Sequence, residues 1–137
     1  MNLFSEEFIK DTTSVPVRKD IYVYLWKNNK FTEYLAEFRL YDFDIKNMEN
    51  NKTRNSTTVL IKRVLTEGAR TYQSSLTVAA ESGTVNCNKI WLPKRDPKKA
   101  VELFIKDREH RITDHLDKVK ICREEIALLD ELELSIN

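Results

Sequence analysis

Glycine is nearly missing from this chain: 137 residues contain two glycines, three prolines, two cysteines and two histidines. Two glycines cannot serve both a phosphate-cradling loop and ordinary turns, and Gly68 and Gly83 each stand in a turn-like dipeptide, Glu67-Gly68 and Ser82-Gly83. Cys87 and Cys122 are far apart in sequence, which excludes a disulfide framework and matches no zinc-binding spacing. His110 and His115 are five residues apart in a helical stretch, so they lie on different faces and make no i,i+4 metal pair. No apolar run approaches membrane-spanning length. The first residues, Met1 to Glu7, lack the basic and apolar regions of a secretory signal. A reducing cytoplasm is the expected compartment, the host cytoplasm if the chain is viral. The two Asn-X-Thr matches, at Asn51 and Asn55, are then chance matches in a polar loop.

What is present is a globular composition, 41% hydrophobic and 33% charged, in a length that suits one domain with its own core. Lys, Asn and Ile supply 34 residues, whereas Gly, Ala and Pro supply 11. Those two sets use A/T-rich and G/C-rich codons respectively, which points to an A/T-rich genome, common among bacteria and their viruses.

The pattern along the chain predicts an α+β fold. A single domain over 1–137 is expected, mainly β-sheet with a short N-terminal helix over 1–95 and one long helix over 96–134. Ser5 can cap a helix over Glu6 to Lys10, with Phe4 and Ile9 at the staple positions. Thr12, Thr13, Ser14 and Pro16 end it. Ile21 to Trp26 is rich in β-branched and aromatic residues and reads as a strand. Asn28-Asn29 tolerates positive φ and predicts a tight hairpin. Residues 31–45 fit both periods: Tyr34, Ala36, Phe38 and Leu40 alternate as a strand face, while Phe31, Tyr34, Leu35 and Phe38 also fit a helix. The hairpin signal favours the strand. Residues 46–57 carry four asparagines and read as a mobile loop. Thr58 to Thr66, Arg70 to Ala80 and Thr84 to Leu92 follow as strands, with short connections that imply an antiparallel meander of about five strands.

Asp96-Pro97 supplies an N-cap and a first-turn proline, and neither Gly nor Pro follows it. The long helix is supported by i,i+4 pairs such as Asp107/Arg111, with its weakest formers, and a possible break, at Thr113 and Asp114. Ile105, Ile112, Val119 and Ile126 recur every seven residues; taken as a positions, they put Val101, Arg108, His115, Cys122 and Leu129 at d and Leu116 at e. The stripe either covers the sheet or, because such a helix overhangs strands of ordinary length, buries Ile112, Val119, Cys122, Ile126 and Leu129 in a homodimer or larger assembly.

Charge is shared unevenly. Residues 1–45 carry −2, residues 46–99 carry +7 and residues 100–137 carry −4. The basic middle gathers Arg63, Arg70, Lys94, Arg95 and Lys98, with Tyr72 and Trp91 close in sequence as aromatics that could stack on a base or lie in the core. Cations around Asp96 oppose the helix dipole, so helix stability did not place them, and a helix start suits an anion. Cys87, in a strand, and Cys122, on the helix's apolar side, read as inert thiols. No enzyme, metal or cofactor is expected. The reading is a non-catalytic binder of an anionic nucleotide-type ligand, with nucleic acid as a further polyanionic partner and no membrane. It fits the genre of viral accessory proteins that sequester a host signal molecule. The alternative is an inhibitor or adaptor that docks on a host protein by sheet edge or helix.

Overall fold

The computed structural model describes residues 1–10, 15–51, 53–71 and 73–136. The elements are α1 (Glu6–Ile9), β1 (Val17–Lys27), β2 (Lys30–Leu40), α2 (Asp42–Lys46), α3 (Met48–Asn51), β3 (Ser56–Val64), β4 (Ser75–Ala79), β5 (Lys89–Leu92) and α4 (Pro97–Ile136). Two compact units are present, Met1–Phe104 and Ile105–Asn137.

The first unit is a five-stranded antiparallel sheet in the order β4-β3-β2-β1-β5. The β1–β2 hairpin turns at Asn28 and Asn29, whose φ values of 53° and 59° are the left-handed pair the sequence favoured. Its register pairs Val17 with Leu40 and runs without a slip to Lys27 opposite Lys30. The expected meander holds from β1 to β4 and then fails: β5 returns to the free edge of β1. The sheet curls, so the crossing needs only a short connection, and the Gly83 amide bonds the Trp91 carbonyl at 2.9 Å. A second left-handed pair, Cys87 and Asn88 (φ 48° and 66°), turns the chain into β5. Cys87 is therefore an exposed turn residue, not a buried strand thiol. Strand alternation in 84–88 is cut short because two successive positive φ values cannot belong to a strand.

The expected strand over 31–45 ends at Leu40, where α2 begins; the loop expected over 46–57 holds α3, with Asn51 buried. The Asn51 amide donates to the Asp44 carbonyl at 2.8 Å, so asparagines that look like loop formers tie two short helices together. The expected helix stop at Thr12, Thr13 and Ser14 lies outside the described residues.

Alternation builds a core on each side of the sheet. Ile21 and Val23 of β1, and Tyr34, Ala36, Phe38 and Leu40 of β2, point to one side with Leu3, Phe4, Phe8, Val59, Val78 and Trp91. The N-terminal segment closes that core, its Leu3 amide bonding the Ala80 carbonyl at 2.9 Å. On the outer side Tyr24, Ile90 and Leu92 meet Ala100 and Phe104 from the first turns of α4, with Leu103 and Phe31 half-buried beside them.

The second unit continues α4, one unbroken helix of 40 residues, about 60 Å long, with no interruption at Thr113. Within the first unit, Ala100, Leu103 and Phe104 pack on the sheet, and all three lie off the seven-residue stripe.

Phe38 contacts Phe4 edge-on at 5.5 Å and packs against Phe8 at 6.2 Å in the centre of the inner core. Phe38→Ala should cost about 3–5 kcal/mol, measured by urea denaturation; a cost near zero would place the core elsewhere.

Candidate functional site

The outer face of the sheet is where polar chemistry collects. Residues 33, 35, 37 and 39 of β2 point there because their neighbours face the inner core. Glu33 is 5% exposed, buried among groups that satisfy it. Its Oε1 accepts from Arg95 Nε at 2.9 Å and Nη2 at 2.7 Å, and its Oε2 accepts from the Tyr24 hydroxyl at 2.7 Å. The Tyr24 oxygen in turn accepts from the Asp96 backbone amide at 2.9 Å. Asp96 caps α4 by accepting from the Lys99 amide at 3.1 Å. The Glu33 backbone is held as well: its amide donates to Thr66 Oγ1 at 2.7 Å, and its carbonyl accepts from the Leu65 amide at 2.8 Å.

Burial pushes the Tyr24 phenol well above its ordinary value, and donation to the Glu33 carboxylate adds to the shift. The Glu33 hydrogen bonds raise the Arg95 guanidinium further. The Arg95 side chain is 55% exposed, and its guanidinium meets Glu33 along the Nε–Nη2 edge.

Beside this cluster the register lines up Tyr22, Leu35 and Arg63 across three strands, a row about 10 Å wide. Tyr22 and Leu35 are half-buried and Arg63 is exposed. Arg63 has no ion-pair partner among the described residues, and it reaches this face through a shift in register: Leu35 opposes Arg63 while Ala36 opposes Ile61. Lys62 is the extra residue, and such a bulge lets two successive cations share one side. Lys62 is neutralised, 3.1 Å from Asp20 and 4.0 Å from Glu37, and Arg39 pairs with Glu37.

Of the residues singled out in the sequence, Arg63 lies opposite Leu35 on the outer face and Arg95 is bonded to Glu33 on the same face. Lys94 and Lys98 are exposed on either side of Arg95 in the chain. Arg70 is exposed outside the strands, with no described contact to this face. Trp91 is a correction: at 0% exposure it packs edge-on against Phe8 at 5.4 Å and offers no ring face to a ligand. Its position in a strand buried on both faces explains why. Tyr72 lies outside the described residues. Tyr22 was missed, although its place one residue from inward-facing Ile21 and Val23 marks it as outward. Ile112, Val119, Ile126 and Leu129 are all exposed on α4, as is Cys122. Among the described residues no group of His, Cys, Asp and Glu could hold a metal ion, and no helix is long and apolar enough to cross a membrane.

No protein-family model matches the chain, and comparison with curated proteins and with solved structures returned no significant match.

The raised Tyr24 value has a stability consequence. A phenol that holds its proton more tightly when folded contributes stability that is full below its unfolded pKa, near 10, and lost as pH rises toward the folded value. Above pH 10 the wild type should lose up to about 1.4 kcal/mol per pH unit through this group. Chemical denaturation from pH 9 to 11.5 should show a steeper decline for wild type than for Tyr24→Phe. Parallel curves would mean that Tyr24 is not held by Glu33.

Proposed function

We propose that the chain is a non-catalytic binding protein that captures an anionic, nucleotide-type ligand on the outer face of its sheet. The observation that carries this reading is the row Tyr22–Leu35–Arg63 beside the exposed Arg95 side chain. A phosphate placed between Arg63 and Arg95 receives charge-assisted hydrogen bonds from planar guanidinium groups. A base laid on Tyr22 and Leu35 gains stacking and apolar contact, about 1–3 kcal/mol. Glu33 supports the site by holding Arg95 in one orientation before a ligand arrives, which lowers the entropy lost on binding.

The site first inferred from the basic middle of the sequence narrows accordingly: Arg63 and Arg95 stay, Tyr22 replaces Trp91 as the ring, and Lys94 and Lys98 supply long-range attraction. A small, A/T-rich chain of this kind suits a viral accessory protein that sequesters a host signal molecule in the host cytoplasm.

Thermal denaturation against nucleoside monophosphates, cyclic dinucleotides and short single strands tests the reading. A nucleotide at about a hundred times its dissociation constant should add about 2.7 kcal/mol of stability. Arg63→Glu should abolish the shift, whereas Arg70→Glu should leave it intact. A steep linear fall of log affinity with log salt would reassign the ligand to a polyanion. A shift that survives Arg63→Glu would move the site elsewhere, and no shift with any of these ligands would favour docking on a host protein.

A further inference from the structure

We infer that the second unit is an antiparallel homodimerisation helix, in which residues 112–136 of two copies pair about a twofold axis level with Glu124. Every residue of α4 from Glu109 to Ile136 is exposed, including Ile112 at 60%, Val119 at 45%, Ile126 at 56% and Leu129 at 60%. An exposed apolar seam this long, about 36 Å over 25 residues, is the feature that a coiled-coil partner covers.

The occupant is identified by what the heptad leaves polar. With Ile112, Val119 and Ile126 at a, the next a is Glu133; with Cys122 and Leu129 at d, the d positions also include His115 and Ile136. His115 and Glu133 are the two ionisable side chains in the seam, and they lie equally far from Glu124. Two antiparallel copies centred there place them in one layer, an imidazole against a carboxylate, at each end of the dimer. Leu116 and Leu132 stand beside that layer and cover its two flanks. The remaining layers pair Ile112 with Ile136, Val119 with Leu129, and Cys122 with Ile126 of the second copy. Parallel pairing would instead set Glu133 against Glu133 in the seam, leaving two buried like charges.

Charge along the helix agrees. Glu124, Glu125, Asp130, Glu131 and Glu133 form the acidic end, and no Lys or Arg lies beyond Arg123. Parallel copies put those carboxylates side by side, while antiparallel copies bring Glu125 level with Arg123 and Asp130 level with Lys118, and leave Glu131 level with Asp117 on the outer side of the pair. Close to the axis Arg123 and Glu125 each face their own copy on opposite flanks, a repulsion worth tenths of a kcal/mol at an exposed rim. A slip of one heptad would set Arg108 opposite Glu133 but would leave both copies of His115 against Ile126, so the register centred on Glu124 satisfies more of the seam.

Sedimentation of the full chain and site-directed cross-linking test this. Wild type should sediment as a dimer, and Ile126→Asp should sediment as a monomer with the circular dichroism of its sheet retained. With both exposed native thiols removed, as Cys87→Ser and Cys122→Ser, Val119→Cys mixed with Leu129→Cys should give the mixed dimer with a short bismaleimide, and Val119→Cys alone should give little. Efficient Val119→Cys self-linking would overturn the antiparallel direction, and in a second background that keeps Cys122, efficient linking of Val119→Cys to Cys122 of the other copy would overturn the register. A monomeric wild type would overturn the dimer itself.

Discussion

A carboxylate buried on the sheet's outer face determines how the rest of the first unit is arranged. Glu33 sits in the middle of β2, where an unpaired charge would cost several kcal/mol, and three different segments converge to satisfy it. Arg95, from beyond β5, and Tyr24, from β1, donate to the carboxylate, while Thr66, from beyond β3, accepts from the Glu33 backbone amide. Because Tyr24 also accepts from the Asp96 amide, the same carboxylate ties the first peptide of the α4 cap to the sheet. The apolar contacts of Ala100 and Phe104 then follow one turn and two turns later. A single buried charge thereby links strand order, the return of β5 to β1 and the place where the long helix starts.

The same constraint shapes the candidate site. Arg95 is the cation nearest the cap, and its engagement with Glu33 leaves it half available rather than free. Lys62 and Arg39 are taken up by Asp20 and Glu37. Among the described residues, Arg63 has no ion-pair partner on that face, where the half-buried surface of Tyr22 and Leu35 lies beside it. In the proposed reading, anion recognition rests on two guanidinium groups, which have the planar geometry that a phosphate or carboxylate fits.

Local signals were legible and long-range ones were not. The Asn28-Asn29 turn, the Ser5 cap, the alternation from Tyr34 to Leu40 and the Asp96-Pro97 helix start each depend on neighbours within a few residues, and each is present. The failures involve partners far away in the chain. Whether β5 pairs with β4 or β1 depends on the curl of the whole sheet. Trp91, named both as a stacking and as a core aromatic, is core because its strand is covered on both faces, by Phe8 on one and α4 on the other. The bulge that turns Lys62 and Arg63 to one side has no glycine to announce it. Nothing near Glu33 in sequence reveals that Arg95, 62 residues away, will be its partner.

The central claim is that the outer face, organised by Glu33, binds an anion between Arg63 and Arg95. Chemical-shift mapping of the full chain with adenosine monophosphate, following backbone amides and arginine Nε–H signals, tests it most directly. The account predicts perturbations centred on Tyr22, Leu35 and Arg63, and an Arg95 Nε–H that is already protected in the free protein by its bond to Glu33. Perturbations confined to Arg70 or Lys98, or none at saturating nucleotide, would contradict it.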